Sequence, residues 1–96
     1  MAQKELLQEK RKHLLSIAAK YGARNVRVFG SLARGEADEQ SDVDFLVEME
    51  PGRSLLELGG LQVELEALLG WPVDVVTEKG LKARIRNQVL AQAVPM

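Results

Sequence analysis

Two carboxylates stand inside the clearest strand of this chain, and no other feature constrains its fold as much. Residues 42–49 read Asp-Val-Asp-Phe-Leu-Val-Glu-Met, and Pro51-Gly52 ends the run. β-Branched and aromatic residues favour a pleated backbone, whereas Asp is depleted from it. Side chains two apart in a strand share one face, so Asp42 and Asp44 point the same way, about 6–7 Å apart along the chain. Like charges on one face repel. The strand therefore needs a hydrophobic partner layer on its apolar side and a counter-charge on its acidic side.

The flanking segments supply the layer. Residues 4–21 carry Leu7, Leu14, Ile17 and Ala18 at helical spacing, with Gly22 as the stop. Residues 25–29 alternate Val26 and Val28 against Arg27, which predicts a short strand. Gly30-Ser31 breaks that pattern; residues 32–35 suit one helical turn, followed by an acidic loop over 36–40. Ser54 and Glu57 have the spacing of a capping box and open a helix lined by Leu58, Leu61, Leu65 and Leu68. Gly59-Gly60 weakens that helix by about 1 kcal/mol per Gly relative to Ala, and Gly70 closes it. Residues 73–76 predict a third short strand. Residues 81–93 predict a last helix, with Leu81, Ile85 and Val89 four apart. The apolar tail Val94-Pro95-Met96 either frays or docks on a partner. This order predicts an α/β fold in one domain over residues 1–96, its sheet covered by helices.

Composition excludes several classes. A formal net charge of -1 at pH 7 offers no dominant basic face, so stable nucleic-acid binding is not expected. The chain has no Cys, which removes disulfides, thiolate catalysis and Cys-ligated zinc. Its N-terminal stretch is polar and lacks the apolar core of a signal peptide. No run approaches the roughly 20 apolar residues of a membrane span. A cytoplasmic location without membrane contact is expected.

The acidic strand needs its counter-charge, and hard divalent cations take carboxylate oxygens. An edge strand with a solvated polar face would meet the same need. Asp74 shifts the balance, because it sits in Trp71-Pro72-Val73-Asp74-Val75-Val76, a charge within a β-branched run, where unpaired burial is costly. Three carboxylates on neighbouring strands suit two cations about 4 Å apart, an arrangement that clamps the attacking and leaving oxygens of a phosphoryl displacement. Gly30-Ser31 supplies the other half. A strand ending in Gly, with Ser opening a helical turn, presents N–H groups and a hydroxyl to phosphate, and Gly permits close approach. Arg34 either contacts that phosphate or pairs with Asp38 or Glu39. Among the remaining residues, His13 is the single histidine and provides no metal cluster. Trp71 reads as a core anchor. Lys79, Lys82, Arg84 and Arg86 form a basic cluster that is either a solvated face or a neighbour of a phosphate tail.

Gly30-Ser31-Leu32-Ala33-Arg34-Gly35 followed by Ser41-Asp42-Val43-Asp44-Phe45-Leu46-Val47, with a later apolar-Asp-apolar motif at Asp74, resembles the DNA polymerase beta-like nucleotidyltransferase superfamily, and in particular its minimal nucleotidyltransferase branch. The resemblance spans almost the whole chain. It implies a small mixed sheet flanked by helices, with Mg²⁺ on Asp42 and Asp44 and the nucleotide triphosphate on Gly30-Ser31. It also implies Asp74 as a third carboxylate that helps hold metal and accepts the acceptor hydroxyl's proton. The implied reaction moves a nucleoside monophosphate from ATP or another NTP, with pyrophosphate leaving. Members of this branch pair with HEPN-type partners, as antitoxins that modify or mask a ribonuclease toxin. A binding module that neutralises its partner by stoichiometric contact is the alternative. A transferase acting on small molecules would need an acceptor domain for which this length leaves little room.

Overall fold

The computed structural model of the chain describes residues 3–30, 32–33 and 42–96. The expected first helix is divided in two: α1 spans Gln3–Glu9 and α2 spans Arg11–Lys20. Lys10, with φ -99° and ψ 10°, leaves helical dihedrals. Hydrogen bonds nevertheless cross it, from Lys10 N–H to the Leu6 carbonyl (3.0 Å) and from Leu14 N–H to the Lys10 carbonyl (2.9 Å). The interruption is therefore a kink, and Leu7 and Leu14 both stay buried. α2 stops where the sequence predicts. Gly22 takes φ +77°, and its N–H bonds back to the Ala19 carbonyl.

The chain then enters β1 (Ala23–Phe29), two residues earlier than its alternation predicts. A register shift between Arg24 and Arg27 explains the difference, with Asn25 at φ 51°. A bulge of this kind breaks the period of two that sequence reading relies on, and Asn is among the residues that tolerate it. β2 (Val43–Met49) pairs antiparallel with β1 and parallel with β3 (Val73–Thr77). The parallel pair is joined through α3 (Leu55–Leu69), as parallel strands require. Ser54 and Glu57 form the expected capping box, and Gly70, at φ 75°, ends the helix.

A 3-10 turn, Glu78–Gly80, precedes α4 (Ala83–Gln92), which starts two residues later than expected because Thr77 captures the Gly80 N–H (3.1 Å). The tail pairs with β1 as a short strand β4 (Val94–Pro95), and Met96 N–H bonds to the Val26 carbonyl at 2.9 Å. Pro95 is admissible there because β4 is an outer strand.

The sheet runs β3-β2-β1-β4, a small mixed sheet with flanking helices, as expected. On one face Val43, Phe45 and Val47 of β2 join Leu14 and Ala18 of α2 and Leu61 and Leu65 of α3 in the core. Trp71 packs against this cluster as an anchor, and His13 is exposed. Gly60 has a packing reason to be small: a Cβ there would lie 2.7 Å from Tyr21 Cε1. The other face of β2 carries Asp44 and Leu46, and Leu46 is fully buried although it lies outside the main core cluster. α4 leads from the 3-10 turn after β3, at one edge of the sheet, to β4 at the opposite edge.

Candidate active site

The start of β2 lies beside the end of β1 and the start of β3, and this junction gathers the candidate residues. In the parallel ladder Asp44 is the direct partner of Asp74. Adjacent strands lie about 4.8 Å apart, so the two carboxylates leave the same face side by side. In the antiparallel ladder Asp44 is opposite Phe29, the residue before Gly30. Gly30 takes φ +77°, and a Cβ on it would collide with Asp44 Oδ2 and lie 3.3 Å from Asp44 Cγ. Gly is thus required twice, by its backbone conformation and by the carboxylate against it.

Burial follows the strand period. Asp42 is exposed, Val43 buried, Asp44 half-buried and Phe45 buried. Asp42 therefore continues the alternation onto the Asp44 face, although it lies one residue before β2 begins. Asp74 is exposed between buried Val73 and Val75. The arrangement is an acidic ledge at one end of the sheet, open to solvent at Asp42 and Asp74 and narrowing at Asp44. Ser31 and Arg34, the other two candidate residues, lie outside the described residues, as do residues 35–41.

Among the described residues no three carboxylate or imidazole side chains are drawn together into a closed metal set. The ledge still has the chemistry a hard divalent cation takes, namely carboxylate oxygens in register on adjacent strands. Gly30 leaves the main chain bare beside them.

One charged pair on this face escapes a reading of the sequence. Arg27 is the direct partner of Leu46, so it shares the Asp44 face, yet its side chain is only 11% exposed. Its Nη1 meets Glu78 Oε1 of the 3-10 turn at 2.9 Å, and its Nε donates to the Asn25 carbonyl at 3.1 Å. Among the described residues its Nη2 is buried without a hydrogen-bond partner. Alternation placed Arg27 on the polar side of β1; the 3-10 turn, through Glu78, helps make that side an interior. The basic residues Lys79 and Arg86 lie beyond the far end of β3 from Asp74, lining a groove with Val47 and Met49. The ledge is thus not where these cations gather.

Comparison with known proteins gives the family and the fold. Residues 10–94 match the nucleotidyltransferase domain family. The chain is 46% identical over 82 residues to the protein adenylyltransferase MntA of Thermococcus cleftensis, a match covering 85% of this chain and 83% of that one. A solved structure assigned as a minimal nucleotidyltransferase superposes with a TM-score of 0.88 at 51% identity, covering 100% of this chain and 97% of its own. A crystal structure of a toxin–antitoxin with AMP-PNP shares the fold, with a TM-score of 0.75 at 20% identity over 88% of this chain and 69% of that one.

Proposed function

The chain belongs to the nucleotidyltransferase domain family, and from that premise we propose that it transfers AMP from ATP, with Mg²⁺, to a hydroxyl group of a partner protein. The partner in this proposal is a HEPN-type ribonuclease toxin, for which the chain is the antitoxin. The in-register pair Asp44–Asp74 beside the bare backbone of Gly30 carries the reading. A solvated strand face has no need of two carboxylates abreast, nor of a glycine held at positive φ against one of them. A close relative named as a protein adenylyltransferase supports the choice of reaction. A toxin–antitoxin of the same fold with AMP-PNP supports the choice of nucleotide and partner.

In this mechanism Asp42, Asp44 and Asp74 would hold two Mg²⁺ ions, whose charge would offset that developing on the transferred phosphoryl group. Gly30 and Ser31 cradle the triphosphate through main-chain N–H groups and the Ser hydroxyl, with Arg34 on the same phosphates. The acceptor oxygen forms its bond to the α-phosphorus as the bond to pyrophosphate breaks. The acceptor's proton passes to the exposed carboxylate of Asp74. Most of the work is positioning and charge stabilisation. The need for ATP fits a cytoplasmic protein.

The test is incubation with labelled ATP, Mg²⁺ and candidate HEPN-type partner proteins, read by mass spectrometry. AMP should appear on the partner, and Asp42→Asn should prevent it. Equal neutralisation of the partner by Asp42→Asn, with the partner unmodified, would replace this reading with stoichiometric binding.

A further inference from the structure

The end of the sheet remote from the aspartates carries a second feature, which the transfer reaction does not use. An open groove of about 760 Å³ runs between the C-terminal ends of β2 and β3 and the start of α3. That volume falls within the range of ligand-binding clefts. Its floor includes Val47, Met49 and Leu58, and Leu55 stands on its rim 82% exposed. Val47 and Met49 are three and five residues along β2 from Asp44, roughly 10–17 Å away.

The charges lining the groove are unevenly satisfied. Two of the three acids are in ion pairs: Glu78 with Arg27 at 2.9 Å and Glu50 with Arg53 at 3.7 Å, while exposed Glu48 accepts from the neutral Asn25 Nδ2 at 3.3 Å and stands opposite Arg24 in the ladder. The cations Arg24, Lys79 and Arg86 are exposed, and among the described residues they have no ion pair. Lys82 and Arg84 are also exposed but do not line the groove. With two acids neutralised internally and three cations outside any ion pair against one remaining acid, this surface carries an excess of positive charge and is complementary to a negative partner.

From this charge complementarity over an apolar floor, we infer that the groove docks an acidic segment of a partner protein, anchored by an apolar side chain. A nucleic acid would match the cations but not the floor. Single-stranded nucleic acid is held by aromatic stacking as well as charge, and the groove lining contains no aromatic residue. The inference is independent of the chemistry at the aspartates.

The probe is a fluorescein-labelled peptide of repeating Glu-Glu-Leu units, followed by fluorescence anisotropy. Polyglutamate of equal length and a single-stranded RNA of similar charge serve as competitors. The Glu-Leu peptide should bind more tightly than polyglutamate, and its affinity should fall as salt is raised. Lys79→Glu/Arg86→Glu should weaken it about tenfold, since two ion pairs are lost and two repulsions introduced. Lys79→Gln/Arg86→Gln should weaken it less, and Leu55→Ser should weaken it severalfold. These side chains are exposed, so thermal unfolding and the response to Mg·ATP should remain those of the unaltered chain. Undiminished binding by the charge-reversed protein, equal binding of polyglutamate, or preferential binding of RNA would each overturn the inference.

Discussion

Gly30 and Asp44 act as one unit, and the pair makes a sharp prediction. Gly30→Ala forces a side chain into the left-handed region, at about 1–2 kcal/mol, and drives its Cβ into the Asp44 carboxylate. The expected result is a stability loss of at least that size in thermal unfolding, together with loss of transfer. Wild-type transfer by Gly30→Ala would show that the carboxylate does not need its observed position. The carboxylates make a second prediction by linkage. If they hold cations, Mg·ATP at 100 times its Kd should stabilise the fold by about 2.7 kcal/mol. Differential scanning fluorimetry should register that rise in melting temperature and find none for Asp42→Asn/Asp44→Asn; an unchanged rise would move the metal elsewhere. At this scale the sequence was informative because the motif is local: two Asp at strand spacing and a Gly where the preceding strand must turn. It did not reveal the interior position of Arg27, since alternation assigns a side to a residue but not what later covers that side.

The third helix shows how a whole element depends on single positions. Its two adjacent glycines look equivalent in sequence and differ in surroundings. A Cβ at Gly59 meets nothing within 4 Å, whereas one at Gly60 meets the Tyr21 ring at 2.7 Å. Gly59→Ala should therefore stabilise the protein by up to about 1 kcal/mol, the helix propensity difference. Gly60→Ala should lose more than that gain to overpacking, at about 1–3 kcal/mol. Urea unfolding of the two variants should shift midpoints in opposite directions, and matching shifts would refute the Tyr21 contact. The start of the same helix titrates. The Ser54 hydroxyl, and then the Ser54 N–H, bond to the Glu57 carboxylate and hold its pKa below the usual value. A depressed folded pKa adds stability above the unfolded Glu value of about 4.3, and that stability fades as pH falls through the lower folded value. Ser54→Ala should cost about 1 kcal/mol at neutral pH and flatten the acid limb of stability against pH. These elements were legible because their caps and periods are local signals. The kink at Lys10 and the strand Val94–Pro95 were not: a helical period continues across a kink, and two residues carry no period at all. β4 exists because β1 presents a free edge to it.

Across the whole molecule, the net value of -1 conceals how charge is distributed. Asp42, Asp44 and Asp74 lie at one end of the sheet, and the groove at the other end is lined by Arg24, Arg53, Lys79 and Arg86 together with Glu48, Glu50 and Glu78. The total could not disclose this, because a sum carries no positions; the strand register supplies them. The acidic end bears on what the protein can modify unaided. Transfer needs the attacking hydroxyl aligned with the α-phosphate, and such alignment accounts for several kcal/mol of the barrier. Among the described residues, Asp42 and Asp74 are exposed and Asp44 is half-buried between them. An open ledge of this kind gives Mg·ATP carboxylates to meet but does little to orient a small acceptor. A free alcohol or sugar would meet the α-phosphate in many orientations, few of them in line. A hydroxyl on a docked protein would be held by contacts elsewhere on the surface. The isolated chain should therefore bind Mg·ATP and release little pyrophosphate with glycerol, ribose or free tyrosine as acceptor. Adding the partner should raise pyrophosphate release by orders of magnitude, with one AMP appearing on the partner for each pyrophosphate formed. Rapid, saturable transfer to a free small molecule would mean that an acceptor pocket is built outside the residues described, and the requirement for a protein acceptor would fall.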